Sequence, residues 1–73
     1  MNREIDIKNR EQAVSICRLA TKTPYEVWLS AGNALVNAGS MLSMLTMVGK
    51  RARVVAEDEN KADRFTQQVL ELA

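Results

Sequence analysis

Histidine is absent from the 73 residues, and cysteine, proline, tryptophan, tyrosine and phenylalanine occur once each. Without an imidazole there is no histidine nucleophile and no histidine acid or base. The lone Cys17 cannot form an internal disulfide, and with no histidine beside it a zinc site built by the protein is excluded. A reduced, cytoplasmic setting is the expectation. An excess of charge of one sign is also missing: ten basic residues oppose nine acidic ones, net +1, so no strong field selects nucleic acid or a membrane. No apolar run approaches the roughly 20 residues that span a bilayer, and the opening "MNREIDIKNR" lacks the apolar stretch of a signal peptide. Gly-rich phosphate loops, nucleophile elbows and paired catalytic carboxylates do not occur either. The expectation is a protein that is not an enzyme and takes no metal or cofactor.

What is present is the balance of a folded globule, 47% apolar and 26% charged residues. A chain of this size buries about 60% of its unfolded surface, enough for one thin core. A single domain over residues 1–73 is therefore expected.

The patterning alternates between two periods. "REIDI" places Ile5 and Ile7 on one face of a short strand. In "NREQAVSICRLATKT", Ala13, Ile16, Cys17 and Ala20 form one helical stripe, with Glu11 in the first turn, and Pro24 forbids continuation. "YEVWLS" sets Tyr25, Val27 and Leu29 against Glu26, Trp28 and Ser30, a half-buried strand. "AGN" is turn chemistry leading into the strand "ALVN", which makes a hairpin. After Gly39, Ser40 is placed to cap a helix from Met41 to Met47 with its hydroxyl, and Gly49 ends that helix. "RARVVA" turns Ala52, Val54 and Ala56 one way. Asp58 then caps a last helix whose stripe is Ala62, Phe65, Val69 and Leu72. The order βαββαβα predicts an α+β open-faced sandwich: a four-stranded antiparallel sheet covered on one face by three helices.

This order, with "VNAGSMLSMLTM" and then "AEDENKADRF", resembles the histidine-containing phosphocarrier (HPr) family of the bacterial sugar phosphotransferase system. The resemblance spans essentially the whole chain and is closest in its second half. Family members shuttle a phosphoryl group on a histidine that opens the first helix, in an H-x-R-P-A-like motif. The corresponding segment here reads "NREQA": Asn9 stands for the histidine, Glu11 for the arginine and Gln12 for the proline, and only Ala13 fits. The resemblance thus implies a degenerate carrier site at Asn9, Glu11 and Gln12, since an amide is no nucleophile and Glu11 repels phosphate. Some members are also phosphorylated by a dedicated ATP-dependent kinase on a serine opening the short second helix. Ser40 holds that place, as a candidate regulatory phosphorylation site or simply as a helix cap. Gly39 before it replaces a cation frequent in the family.

The helix from Met41 to Met47 is polar only at Ser43 and Thr46, without a continuous wet face. A helix apolar nearly all round is buried on all sides or leaves part of itself on the surface. Both readings stay open at this point: core, or a contact surface of Met41, Leu42, Met44 and Leu45, where methionine suits adaptable contacts. The family's corresponding helix contacts partner proteins. The functional expectation is a regulatory, protein-binding relative that docks through this helix, with a serine kinase as a second partner and no nucleic acid or membrane. The alternative is an assembly domain that oligomerises through the same helix, so the expected state is a monomer or weak dimer. Two lesser signals remain. Arg51 and Arg53 share a strand face that can grip a phosphate or an acidic partner, or simply be solvated. Trp28 falls on the polar face of its strand.

Overall fold

The computed structural model describes residues 2–72; Met1 and Ala73, which the single-domain expectation includes, lie outside them. The elements run β1 (Glu4–Ile7), α1 (Arg10–Lys22), β2 (Val27–Ala31), β3 (Ala34–Asn37), α2 (Met41–Leu45), β4 (Lys50–Ala56) and α3 (Glu59–Leu70). The strands form one antiparallel sheet in the order β1-β4-β2-β3. This is the expected open-faced sandwich.

Period-two burial selects the covered face of the sheet. Ile5, Ile7, Val27, Leu29, Ala52 and Val54 point inward and are buried, while their neighbours along each strand face outward. The register puts Leu29 between Val36 and Val54, and Ile5 opposite Ala52. From the helix side the sheet is closed by Ala13, Ile16, Cys17 and Ala20 of α1 and by Ala62, Phe65 and Val69 of α3. Those α1 positions are the stripe read from spacing alone. Cys17 is a small buried hydrophobe of this core.

Four details differ from the expectation, each for a local reason. Strand β2 begins at Val27, not Tyr25, because the Tyr25 hydroxyl donates to the Lys61 carbonyl at 3.2 Å and draws that residue to α3. Leu72 lies beyond the end of α3 and is exposed, and Thr66 fills the core in its place, its hydroxyl donating to the Ala62 carbonyl at 2.8 Å. Helix α2 stops at Leu45. The N–H groups of Thr46 and Met47 bond three residues back, to Ser43 and Met44, so the chain tightens into turns before Gly49. Ser40 sits at the N-cap of α2 but its side chain makes no capping bond.

Two glycines supply backbone that other residues resist. Gly32, at φ +57°, is the first residue of the two-residue turn joining β2 and β3. Gly49, at φ +86°, turns the chain into β4 and donates its N–H to the Ile7 carbonyl at 2.6 Å.

Candidate functional site

The start of α1 is closed by its own side chains. Asn9, in extended backbone at the N-cap, accepts the Gln12 N–H on Oδ1 at 2.8 Å. Gln12 reaches back, and its Oε1 accepts the Lys8 N–H at 2.8 Å. Two donors that would otherwise point to solvent, or to an anion, are satisfied internally. Glu11 in the first turn adds negative charge where an anion would approach. The depression beside it, about 240 Å³ and lined by Asn9, Glu11, Gln12, Ser15, Val69 and Leu72, is below the roughly 300–1,000 Å³ of small-molecule sites. Sequence reasoning assigned Asn9, Glu11 and Gln12 to a lost site and missed that two of them are a cap. The N-x-x-Q spacing was the available signal.

The segment 41–48, α2 and the turns that follow it, divides into two faces. Met44 is 0% exposed and Met47 likewise, both in the core, and Leu45 is half-buried against it. Met44 therefore drops out of the expected contact surface, because its side chain fills the space under α2. On the other face Leu42 is 81% exposed, Met41 38% and Val48 37%. Ser40 is half-buried beside them. Asn37 shapes the approach: its Oδ1 accepts the Gly39 N–H at 2.8 Å, and a Cβ on Gly39 would lie 3.2 Å from that oxygen. Residue by residue, the segment is thus part core and part surface.

The flank of α1 next to α2 is basic. Gly39 lies against Thr21, and the far end of the α2 segment is held at Ile7 through Gly49. Helical spacing carries the Thr21 side of α1 through Arg18 and Val14 to Arg10. Arg10, Arg18 and Lys50 are exposed and make no ion pair among the described residues.

The other ion pairs sit elsewhere. Arg51 donates from Nε to Glu4 at 2.6 Å and from Nη1 to Asp6 at 3.1 Å, on the uncovered face of the sheet. The hydrogen bond to Glu4, then the charge of Asp6, hold its pKa above the usual value. Arg51 is therefore already neutralised, and of the two readings of this strand face the exposed, ion-paired arginine agrees with the solvated one. Arg3 donates from Nε to Asp63 at 2.6 Å, tying the chain before β1 to α3, and that bond raises its pKa. Trp28 is half-buried on the open face, between Val55 of β4 and Asn37 of β3. Among the described residues no group of three or more Cys, Asp or Glu side chains is placed to hold a metal ion. No helix there is long and apolar enough to cross a membrane.

No family model and no curated protein matches the sequence. Solved structures do match the fold. HPr-C-His from Thermoanaerobacter tengcongensis superposes with a TM-score of 0.69 at 23% identity, over 93% of this chain and 88% of that one. The histidine-containing phosphocarrier protein of Mycoplasma gives a TM-score of 0.68 at 16% identity, over 92% of this chain and 88% of its own. The order of elements, the uncovered sheet face and these superpositions together show that this chain, without a histidine, has the fold of the histidine-containing phosphocarrier proteins.

Proposed function

We propose that this protein is a non-catalytic, regulatory relative of the phosphocarriers that docks onto a protein partner through the outer face of α2. The observation that carries this reading is Leu42, 81% exposed in a stretch from Ala34 to Gly49 that contains no charge. A small domain gains nothing in folding from an exposed leucine flanked by exposed Met41 and Val48, and such a patch marks a contact site. Its basic border, Arg10, Arg18 and Lys50, favours a partner surface with apolar pockets and an acidic rim. Carrier chemistry does not fit: no histidine exists, the Gln12 N–H at the start of α1 is engaged by Asn9, and Glu11 adds negative charge there. Ser40, bordering the patch with a hydroxyl that makes no capping bond, is the candidate phosphorylation site. A phosphate there adds about −1.5 to −2 charge at the edge of the contact surface and reverses its local sign.

The test is amide-shift mapping of labelled protein titrated with the serine kinase of the phosphocarrier system and with that system's other soluble proteins. Perturbations at Ser40, Met41, Leu42 and Val48, abolished in Leu42→Lys, are expected. Titrations that leave these amides unmoved would overturn the reading.

A further inference from the structure

The two edges of the sheet are built differently. On β1, Glu4 and Asp6 face the open side and are bound by Arg51, so that edge is charged. On β3 no residue is charged, none is proline, and the ladder to β2 runs without a bulge. Charged side chains, prolines and bulges are the devices that keep edge strands from pairing with other chains. The β3 edge has none of them.

Its backbone is also open. Ala34 pairs with Ala31 across the two-residue turn, and the Ala38 N–H donates to the Val27 carbonyl at 2.9 Å. Even-numbered residues of β3 therefore bond inward to β2, and Leu35 and Asn37 direct their backbone groups outward. The Asn37 carbonyl is taken by the Ser40 N–H at 3.0 Å. The N–H and C=O of Leu35 and the N–H of Asn37 have no backbone partner among the described residues. The Leu35 side chain, at the middle of this edge on the open face, is 63% exposed.

We propose that β3 is a self-pairing edge, joined by the β3 strand of a second copy. The two strands run antiparallel about a two-fold axis at Leu35. Each Leu35 N–H donates to the Leu35 carbonyl of the other copy, and the sheet continues across the dimer. A second copy is the occupant because charge and symmetry agree on it. Uncharged strand meets uncharged strand, whereas β1 against its own copy would oppose Glu4 and Asp6 of each chain. The same axis brings the two Leu35 side chains together and removes both from water. A strand of four residues offers a small interface, so the association is weak and depends on concentration. This surface is separate from the outer face of α2.

The experiment is analytical ultracentrifugation of the full chain over a concentration series, with Leu35→Lys and Leu42→Lys alongside. Wild type is expected to rise from 8.2 kDa toward twice that mass, and Leu42→Lys to follow it. Leu35→Lys sets two ammonium groups opposite one another and is expected to stay at the monomer mass. Amide exchange at Leu35 should slow with concentration in wild type and in Leu42→Lys. Residue 35 of a folded Leu35→Lys should show no such dependence, which separates loss of pairing from loss of folding. A wild type that stays monomeric throughout, a dimer that survives Leu35→Lys, or one abolished by Leu42→Lys each overturns the proposal. Only the last of these points back to α2, so failure here is distinct from failure of the docking reading.

Discussion

Asn9 and Gln12 close the N-terminus of α1 between them: the Asn9 carboxamide accepts the Gln12 N–H, and the Gln12 carboxamide accepts the Lys8 N–H, each at 2.8 Å. The arrangement is a capping box displaced by one residue at its return bond. It stabilises the helix by using the Gln12 N–H, one of the first-turn amides that an anion at this position could otherwise meet.

Replacing the cap measures its contribution. Asn9→Ala is expected to cost about 1 kcal/mol. For a domain of this size that lowers the melting temperature by about 4–8 °C. Thermal unfolding followed by circular dichroism checks it. The residue is exposed, so no cavity contributes to the loss.

Phosphoryl transfer is expected to fail. Incubated with phosphoenolpyruvate and the enzymes that charge ordinary phosphocarriers, the protein should show no acid-labile phosphate by intact mass. The chain contains no imidazole, and Glu11 repels the incoming group at the start of α1. A labile phosphate would mean that another residue type has taken over the chemistry.

Helix α2 should split cleanly between stability and contact. Met44→Ala removes a side chain with 0% exposure and is expected to cost about 2–5 kcal/mol. Leu42→Lys changes a side chain that is 81% exposed and should stay within about 0.5 kcal/mol of wild type. Urea titrations of the two variants decide this. Equal losses would place Leu42 in the core and remove the basis of the docking surface.

The strands and the stripe of α1 were legible because burial in them follows a single period. Ile5 and Ile7, and Ala13, Ile16, Cys17 and Ala20, need no tertiary information to be placed. Helix α2 was only half legible. Its apolar residues surround the axis, so periodicity cannot say that Met44 and Met47 turn inward while Leu42 turns out. The direction was set by where Gly39 and Gly49 anchor the segment, against Thr21 and Ile7. The ion pairs of Arg51 were not legible for a similar reason. Its partners, Glu4 and Asp6, come from a strand more than forty residues away in sequence, and only the β1–β4 register brings them together.

One contribution to stability should depend on alkaline pH. The Lys61 ammonium pairs with Glu57, and with Asp58 at 3.8 Å. The hydrogen bond to Glu57 raises its pKa above the ordinary 10.5. A base whose pKa is raised on folding stabilises fully below its unfolded value and loses that effect as pH rises through the folded one. The stability difference between wild type and Lys61→Met should therefore hold from neutral pH to about 10.5 and shrink above it. Urea midpoints across that range test the sign. A difference that stayed constant through that range would show that Lys61 stabilises through its aliphatic stem and not through charge. The attraction of its ammonium to the Tyr25 ring, 5.7 Å away, is lost on deprotonation as well.

Ser40 and Asp58 occupy equivalent positions before α2 and α3, yet only Asp58 caps. Its Oδ1 accepts the Lys61 N–H at 2.8 Å, whereas the Ser40 side chain makes no capping bond. Asp58→Ala should consequently cost about 1 kcal/mol, and Ser40→Ala only a few tenths. Chemical denaturation of both variants gives the comparison. If Ser40→Ala matched Asp58→Ala, the hydroxyl would be a structural cap and its modification would unfold α2. With Ser40→Ala near wild type, the hydroxyl is free to take a phosphate. Ser40→Asp should then weaken docking at Met41 and Leu42 without lowering the denaturation midpoint, by placing negative charge against an acidic partner rim.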